Sequence, residues 1–135
     1  MVREVFRNEH YLVEYSSELR LIRMTRSAVP QSAQILMPLI DELFDAVSAL
    51  RPARVLIDMR QAPGNNDPEF EKAALAALRQ LLRGFGKVAI LLQSAVGRLH
   101  FQRMSREIGE SLHLFSDEDE ALRFLRSLPL PPPAS

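Results

Sequence analysis

The sequence contains no cysteine among its 135 residues, which excludes disulfide bonds, thiolate metal sites and cysteine nucleophiles. It also carries no net charge, because 17 lysine and arginine residues balance 17 aspartate and glutamate residues. A neutral chain lacks the bulk electrostatic attraction that holds proteins on nucleic acid or on anionic membranes. We therefore expect no nucleic-acid partner and no membrane binding through bulk charge.

Long apolar runs are missing as well. No segment approaches the roughly 20 consecutive apolar residues that a membrane-spanning helix needs. Residues 1–7 lack the apolar core of a secretory signal. These absences predict a cytoplasmic protein without a membrane span. Since 47% of the residues are hydrophobic, the chain can form one compact domain with a substantial core.

The common catalytic motifs are absent too. The sequence has neither a glycine-rich phosphate loop nor a Gly-x-Ser-x-Gly elbow. His10, His100 and His113 lack the i,i+4 spacing and the His-x-His pattern that metal ligands often show. We interpret these three residues as partly exposed or core-edge imidazoles. The sequence therefore predicts a protein that is not an enzyme and needs no metal and no cofactor.

What the chain does contain is organised around residues 54–83, which are typical of a buried strand, a polar loop and a capped helix. The apolar run at 55–57 has no polar alternation and predicts a central strand covered on both faces. Asp67 is a good N-cap, and Pro68 suits the first helical position. Gly84 is predicted to end this helix as a left-handed residue.

The rest of the chain alternates strands and helices. Residues 9–15 and 19–26 predict an antiparallel hairpin, and the residues before Glu9 form either a loose arm or an extension of the first strand. Further helices are predicted at 32–50, at 95–109 and from a Ser116 cap to 128, and further strands at 87–93 and 112–115. The order β-β-α-β-α-β-α-β-α predicts a single α/β domain with a mixed, mainly parallel sheet.

Proline marks two other places. Pro38 lies inside the first helical run and should kink that helix or mark its effective start. Residues 129–135 form a proline-rich tail, which resembles a PxxP ligand but is more typical of a disordered terminus. We therefore assign the α/β domain to residues 1–128 and the disordered tail to residues 129–135.

Three segments carry a resemblance to a known family. They are Val55-Leu-Ile-Asp-Met, Val88-Ala-Ile-Leu-Leu and Leu114-Phe-Ser-Asp-Glu-Asp-Glu-Ala-Leu-Arg-Phe-Leu125. Together with the element order they resemble the STAS domain, and above all its SpoIIAA-like branch, over about residues 9–128. Members of that family are small cytoplasmic regulatory modules, related to bacterial anti-sigma-factor antagonists, that bind a partner protein. Some members bind small ligands or lipids.

The chain departs from the family at the regulatory position. Switchable members place a phosphorylated serine at the start of the helix that follows the first central strand. The corresponding position here falls near Asp67, and residues 59–93 contain no serine, threonine or tyrosine. We therefore expect no phosphorylation switch in this loop or helix, and partner binding that is constitutive or controlled by a ligand.

The candidate binding site combines the loop at residues 60–67 with a basic strip on the helix at 95–109. Asp58 ends a central strand at the edge where α/β sheets keep their sites, and the loop lies above a helix N-terminus whose amides could meet a carbonyl or an anion. The alternatives are that Asp58 bonds loop amides, that the loop is only a well-made turn with a cap, and that the arginines pair with Glu107 and Glu110. The candidate residues are Asp58, Arg60, Gln61, Asn65, Asn66, Asp67, Arg98 and Arg103.

Two functional hypotheses follow. In the first, the chain is a STAS-like regulatory module, monomeric or homodimeric, that binds a protein through the 60–67 loop and its helix. In the second, it carries a small molecule or lipid in an apolar cavity between the sheet and the Pro38-containing helix. A ligand pocket should be concave, mostly apolar and roughly 300–1,000 Å³ in volume. A surface without such a pocket favours the first hypothesis.

Overall fold

A six-stranded sheet with helices on both faces forms the framework of the protein. The computed structural model describes residues 1–109 and 112–131. The strands are Val2–Arg7 (β1), Tyr11–Ser16 (β2), Leu21–Arg26 (β3), Arg54–Asp58 (β4), Val88–Leu91 (β5) and His113–Phe115 (β6). The helices are Ala33–Val47 (α1), Pro68–Phe85 (α2), Ala95–Ile108 (α3) and Glu118–Ser127 (α4), and a short 3-10 helix covers Ser48–Leu50.

The strands lie in the sheet in the order in which they occur in the chain. The β1–β2 and β2–β3 pairs are antiparallel, whereas β3, β4, β5 and β6 run parallel to one another. Helices α1, α2 and α3 connect these parallel strands and pack on one face, as right-handed connections between neighbouring strands require. The predicted fold class, a mixed and mainly parallel α/β sheet, is confirmed.

The first strand is an addition to the predicted element order. Residues before Glu9 form a separate strand, β1, and are neither a loose arm nor an extension of the next strand. The chain reverses at Asn8, whose Oδ1 accepts hydrogen bonds of 2.8 Å from the backbone N–H groups of His10 and Tyr11. Since β1 is an edge strand without a fully buried residue, its sequence shows no clear apolar alternation.

The sheet separates two apolar cores. Alternate residues of a strand point to opposite faces, so Val55 and Ile57 of β4 face α1–α3 while Leu56 faces α4. Val55 and Leu56 are completely buried. These positions confirm that residues 55–57 form a central strand covered on both faces.

The structure confirms the predicted start of α2 and corrects its end. Oδ1 of Asp67 accepts a hydrogen bond of 3.1 Å from the backbone N–H of Glu69, so Asp67 is the N-cap. The prediction that Gly84 ends the helix is wrong, because α2 continues to Phe85 and Gly86 follows with a positive φ of 78°. Gly84 instead lies against α1, where a β-carbon would come within 3.0 Å of a ring carbon of Phe44.

Two further helix starts differ from the sequence predictions. Helix α1 begins at Ala33, with Ser32 as its N-cap, so Pro38 lies inside the helix and does not mark its start. The N-cap of α4 is Asp117 and not Ser116, since Oδ1 of Asp117 accepts from the backbone N–H of Asp119 at 3.0 Å.

The predicted proline-rich tail at 129–135 lies partly outside the described residues, so the tail and the boundary at residue 128 stay predictions. Over the part of the chain that the structure covers, no helix is long and apolar enough to cross a membrane.

A candidate ligand cavity at the carboxyl edge of the sheet

The parallel strands β3, β4 and β5 end at the same edge of the sheet. Arg26 is the last residue of β3, Asp58 is the last residue of β4, and Gln93 follows the end of β5. The loop at residues 60–67 rises from this edge and leads into α2. The fold therefore brings charged and polar side chains to the place where open α/β sheets bind their ligands.

Asp58 belongs to a balanced group of four charges, which we call the Asp58 cluster: Arg23, Asp58, Arg60 and Glu118. Oδ2 of Asp58 accepts from Nη2 of Arg60 at 2.8 Å and from Nη2 of Arg23 at 3.1 Å. Oδ1 of Asp58 accepts from the backbone N–H and the Nε of Arg60 at 3.1 and 3.0 Å. Glu118 of α4 accepts from Arg23 at 2.5 Å and from Arg60 at 3.2 Å.

These contacts set the charge state of Asp58. Burial alone would raise the pKa of Asp58, but the hydrogen bonds from Arg60 and the charges of Arg60 and Arg23 outweigh burial and lower it. The hydrogen bond to Asp58 raises the pKa of Arg60. Both carboxylates of the cluster are thus engaged by arginines of the same cluster. Asp58 accepts a hydrogen bond from one loop amide, the backbone N–H of Arg60. This contact agrees in part with the alternative that Asp58 bonds loop amides.

The 60–67 loop is fixed by Asn65. Its Nδ2 donates to the backbone carbonyl oxygen of Gln31 at 2.9 Å, and its Oδ1 accepts from the backbone N–H of Asp67 at 2.9 Å. Asn66 is exposed and lines the main cavity described below. Gln61 is also exposed and lines a separate polar cleft of about 420 Å³ beside Asp58. Through Asn65, the loop is therefore hydrogen-bonded both to the segment before α1 and to the N-cap of α2.

Arg98 and Arg103 of the predicted basic strip, which also includes Arg106, do not contact this loop. Arg103 donates to Oε1 of Glu71 on α2 at 3.1 and 2.9 Å, and its Nη2 lies 3.2 Å from Nδ1 of His100. Nη2 of Arg98 lies 3.5 Å from the carbonyl oxygen of Leu114. Arg103 thus pairs across to α2 and not with Glu107, while Glu110 lies outside the described residues. A binding role for Arg98 and Arg103 stays a prediction.

The main cavity has a volume of about 510 Å³ and lies between the sheet and helices α1, α2 and α3. This volume falls within the roughly 300–1,000 Å³ typical of small-molecule sites. Most of its wall is apolar and comes from the sheet and from all three helices. Representative wall residues are Met24, Ile40, Phe44, Ile57, Leu81 and Phe101.

Part of the cavity wall is polar and includes Tyr11, Arg26 and Gln31, which we call the polar wall. The other polar residues that line the cavity are Arg60, Asn65, Asn66, Gln93, Ser94 and His100. Tyr11 and Arg26 are cross-strand neighbours on β2 and β3, and the Cζ of Arg26 lies 5.9 Å from the centre of the Tyr11 ring. Arg26 is only 3% exposed, and its Nη1 donates to the carbonyl oxygen of Ser27 at 2.5 Å. No carboxylate within residues 1–109 and 112–131 forms an ion pair with Arg26.

Gln31 completes this polar wall. It is 7% exposed, and its Nε2 has no hydrogen-bond partner in the described part of the chain. Burial lowers the pKa of Arg26, an effect that Tyr11 partly offsets, but an arginine stays charged in a folded protein. Burial also raises the pKa of Tyr11, whose hydroxyl is therefore neutral at neutral pH and able to donate.

Sequence reasoning missed Arg26 and Gln31. A signal for Arg26 exists, because a strand at 19–26 that runs parallel to the strand at 54–58 must end at the same edge as Asp58. Gln31 carries no comparable signal, since its burial depends on the packing of the loop through Asn65.

The three histidines lie on different parts of the fold, and His100 lines the main cavity. His10 is buried near Glu9, His100 packs against Phe101, and the ring of His113 lies 4.4 Å from that of Phe124. Burial, and secondarily the charge of Lys87, lowers the pKa of His113. Across the residues with described positions, no three histidine, aspartate or glutamate side chains group closely enough to hold a metal ion.

Exposed apolar side chains lie near the N-termini of two helices beside the cavity. Val96 and Leu99 are exposed on α3, and Val96 also lines the cavity. Ile35 and Met37 are exposed on α1. Val96 therefore continues the apolar cavity wall to the surface of the protein.

Comparison with known proteins bears on the fold. No family model and no curated protein matches the chain. A crystal structure of an uncharacterized protein from the DUF3478 family with a SpoIIAA-like fold, from Shewanella loihica PV-4, is similar with a TM-score of 0.63. The two chains are 17% identical, and the match covers 89% of this chain and 98% of the other. Identity at this level speaks for the fold alone, and the chain has the SpoIIAA-like fold that its sequence pattern predicted.

Proposed function

We propose that this protein is a non-catalytic binding module that holds a small, mainly apolar ligand in the cavity between the sheet and α1–α3. The cavity volume of about 510 Å³ is the observation that carries this proposal. Small-molecule sites are typically concave and mostly apolar, with a few polar groups. This cavity is a concave, mainly apolar cleft that opens to solvent, so a ligand that fills it would remove apolar surface from water.

The proposed absence of catalysis rests on the state of Asp58. A general base works best when its pKa lies near the working pH. It also needs a free lone pair to accept the proton of the substrate. The pKa of Asp58 is lowered, and both of its oxygens accept hydrogen bonds from arginines. These contacts support a structural role for Asp58.

Binding of an apolar fluorescent probe to cavity variants tests the proposal. N-phenyl-1-naphthylamine should bind the wild-type protein with one-to-one stoichiometry and with a blue-shifted emission. Ala77→Leu should weaken this binding, because Ala77 lines the cavity and the larger side chain takes up part of its volume. Ala76→Leu is the matched control, since Ala76 is an exposed neighbour on the same helix. Equal binding by the two variants would contradict the proposal.

A second candidate is the regulatory module that binds a protein partner, and the exposed apolar residues Val96 and Leu99 favour it. Its test is affinity capture with the wild type and with a Val96→Ser, Leu99→Ser variant, with Met37→Ser on α1 as the control. A single partner retained by the wild type and the control, and lost by the double variant, would support this candidate. In either case we expect a cytoplasmic protein that is a monomer or a homodimer.

A further inference from the structure

The polar wall of the main cavity offers hydrogen-bond donors that the protein itself does not use. In the described part of the chain, no acceptor is found for Nε2 of Gln31, for the hydroxyl of Tyr11, or for Nε and Nη2 of Arg26. All three residues line the same cavity. Of these donors, Nε2 of Gln31 is fully buried, and a buried donor without an acceptor reduces stability unless a ligand or water supplies one.

The charge of Arg26 defines the ligand further. A buried charge is costly without an opposite charge, and Arg26 forms no ion pair with any described residue. The carboxylates of the Asp58 cluster do not balance the charge of Arg26, because Asp58 and Glu118 pair with Arg23 and Arg60. The Tyr11 ring and the Ser27 carbonyl offer only partial compensation. An anionic group from outside the protein would balance this charge.

We propose that the ligand of the main cavity is an amphiphile with a single anionic head, namely a monocarboxylate with an unbranched apolar chain such as a fatty acid. Its carboxylate contacts Arg26, Gln31 and Tyr11, and its chain lies against α1, α2 and α3. This inference rests on the proposed function of the cavity. The planar guanidinium matches a carboxylate in charge and shape, and one uncompensated arginine suits a single charge better than the roughly two charges of a phosphate monoester.

Calorimetric titration of the full chain with three ligands that share one alkyl chain tests the head group. The ligands are dodecanoate, dodecanol and dodecyl phosphate, each below its micellar concentration at neutral pH. The wild type should bind dodecanoate roughly 10- to 100-fold more tightly than dodecanol, the factor expected from charge-assisted hydrogen bonds. It should also bind dodecanoate more tightly than dodecyl phosphate.

Replacement of Arg26 tests its assignment as the anchor of the carboxylate. Arg26→Met should remove the preference for dodecanoate over dodecanol and leave the affinity for dodecanol unchanged. Arg3→Met is the matched control, because Arg3 lies over Tyr15 at 5.7 Å in a similar cross-strand pair but does not line the cavity. The control should retain the wild-type preference.

The outcomes separate this inference from the proposed function. If the wild type binds dodecanol or dodecyl phosphate as tightly as dodecanoate, the assignment of an anionic monocarboxylate is wrong, but the cavity still binds apolar ligands. A preference for dodecanoate that survives in Arg26→Met also overturns the inference. If none of the three ligands binds but the naphthylamine does, the fatty-acid class is wrong. If the naphthylamine also fails to bind, the proposed function fails. Should Arg26→Met not fold, the wild-type comparison decides.

Discussion

Replacement of Asp58 by asparagine changes the charge of the Asp58 cluster while it preserves the shape of the side chain. The asparagine Oδ1 can still accept from the backbone N–H of Arg60, which is 3.1 Å from Oδ1 of Asp58. What is lost is the negative charge that Arg60 and Arg23 share through bonds of 2.8 and 3.1 Å. The two arginines then face Glu118 alone.

The expected loss of stability can be estimated from burial. Removal of one partner from a fully buried ion pair costs about 3–5 kcal/mol. The Asp58 side chain is only 8% exposed, but those of Arg60 and Arg23 are 37% and 25% exposed, so solvent screens part of the interaction. We therefore expect Asp58→Asn to lower the free energy of unfolding by about 2 kcal/mol at neutral pH.

The effect should depend on pH in a defined direction. Burial would raise the pKa of Asp58, but the hydrogen bonds and charges of the arginines outweigh it and bring the pKa below its usual value. A carboxylate whose folded pKa is depressed stabilises the protein above its unfolded pKa, about 3.9 for aspartate, and loses this contribution as the pH falls through its folded pKa. The stability difference between wild type and Asp58→Asn should thus be constant near neutral pH and shrink below about pH 4.

Urea unfolding followed by circular dichroism over a series of pH values measures this difference. Glu118→Gln is the control, since Glu118 is 37% exposed and its loss should cost less than about 1 kcal/mol. Equal unfolding midpoints for wild type and Asp58→Asn at neutral pH would refute the reasoning. So would a difference that stays the same through the acid range.

Three further predictions concern the central strand, the helix cap and phosphorylation. Ile57→Asp should prevent folding, because Ile57 is buried in the central strand and a carboxylate there would lose most of its hydration; cooperative unfolding of a soluble variant would contradict this. Asp67→Ala should lower the free energy of unfolding by about 1 kcal/mol, while Asp67→Ser should retain the cap; chemical denaturation of both variants checks it. Incubation with lysate and ATP should give no phosphosite at residues 59–93, and stoichiometric modification of Ser94 or Ser116 with loss of partner binding would place the switch at another helix.

Elements whose sequence carries a strong local signal could be predicted from the sequence. The central strand at 55–57 has uninterrupted apolar residues, and the start of α2 has both an N-cap and a first-turn proline. The end of α2 could not be predicted from such a signal. Gly84 lies where the ring of Phe44 packs closely against the helix, and it does not form a turn. That requirement comes from the packing of α1 on α2, which local sequence does not show.

The candidate site was predictable only where it depends on strand order. The sheet edge after Asp58 follows from parallel strands, and so does the position of the loop at 60–67. The cavity depends on the space that three packed helices leave above the sheet, which no local pattern records. Likewise, the sequence presents Arg26 and Arg60 as similar arginines near strand ends, and both line the cavity, although they differ in burial and in ion pairing.

The contrast between these two arginines connects the charge of the chain with its proposed ligand. Arg60 lies in a cluster of two arginines and two carboxylates, where its charge is compensated within the protein. Arg26 is more deeply buried and forms no ion pair with any described residue, although the whole chain is neutral. A neutral chain gives no general attraction for polyanions, whereas one uncompensated cation in the wall of a mainly apolar cavity can select a single small anion. The neutrality that argues against nucleic acid as a partner is therefore compatible with a specific anionic amphiphile.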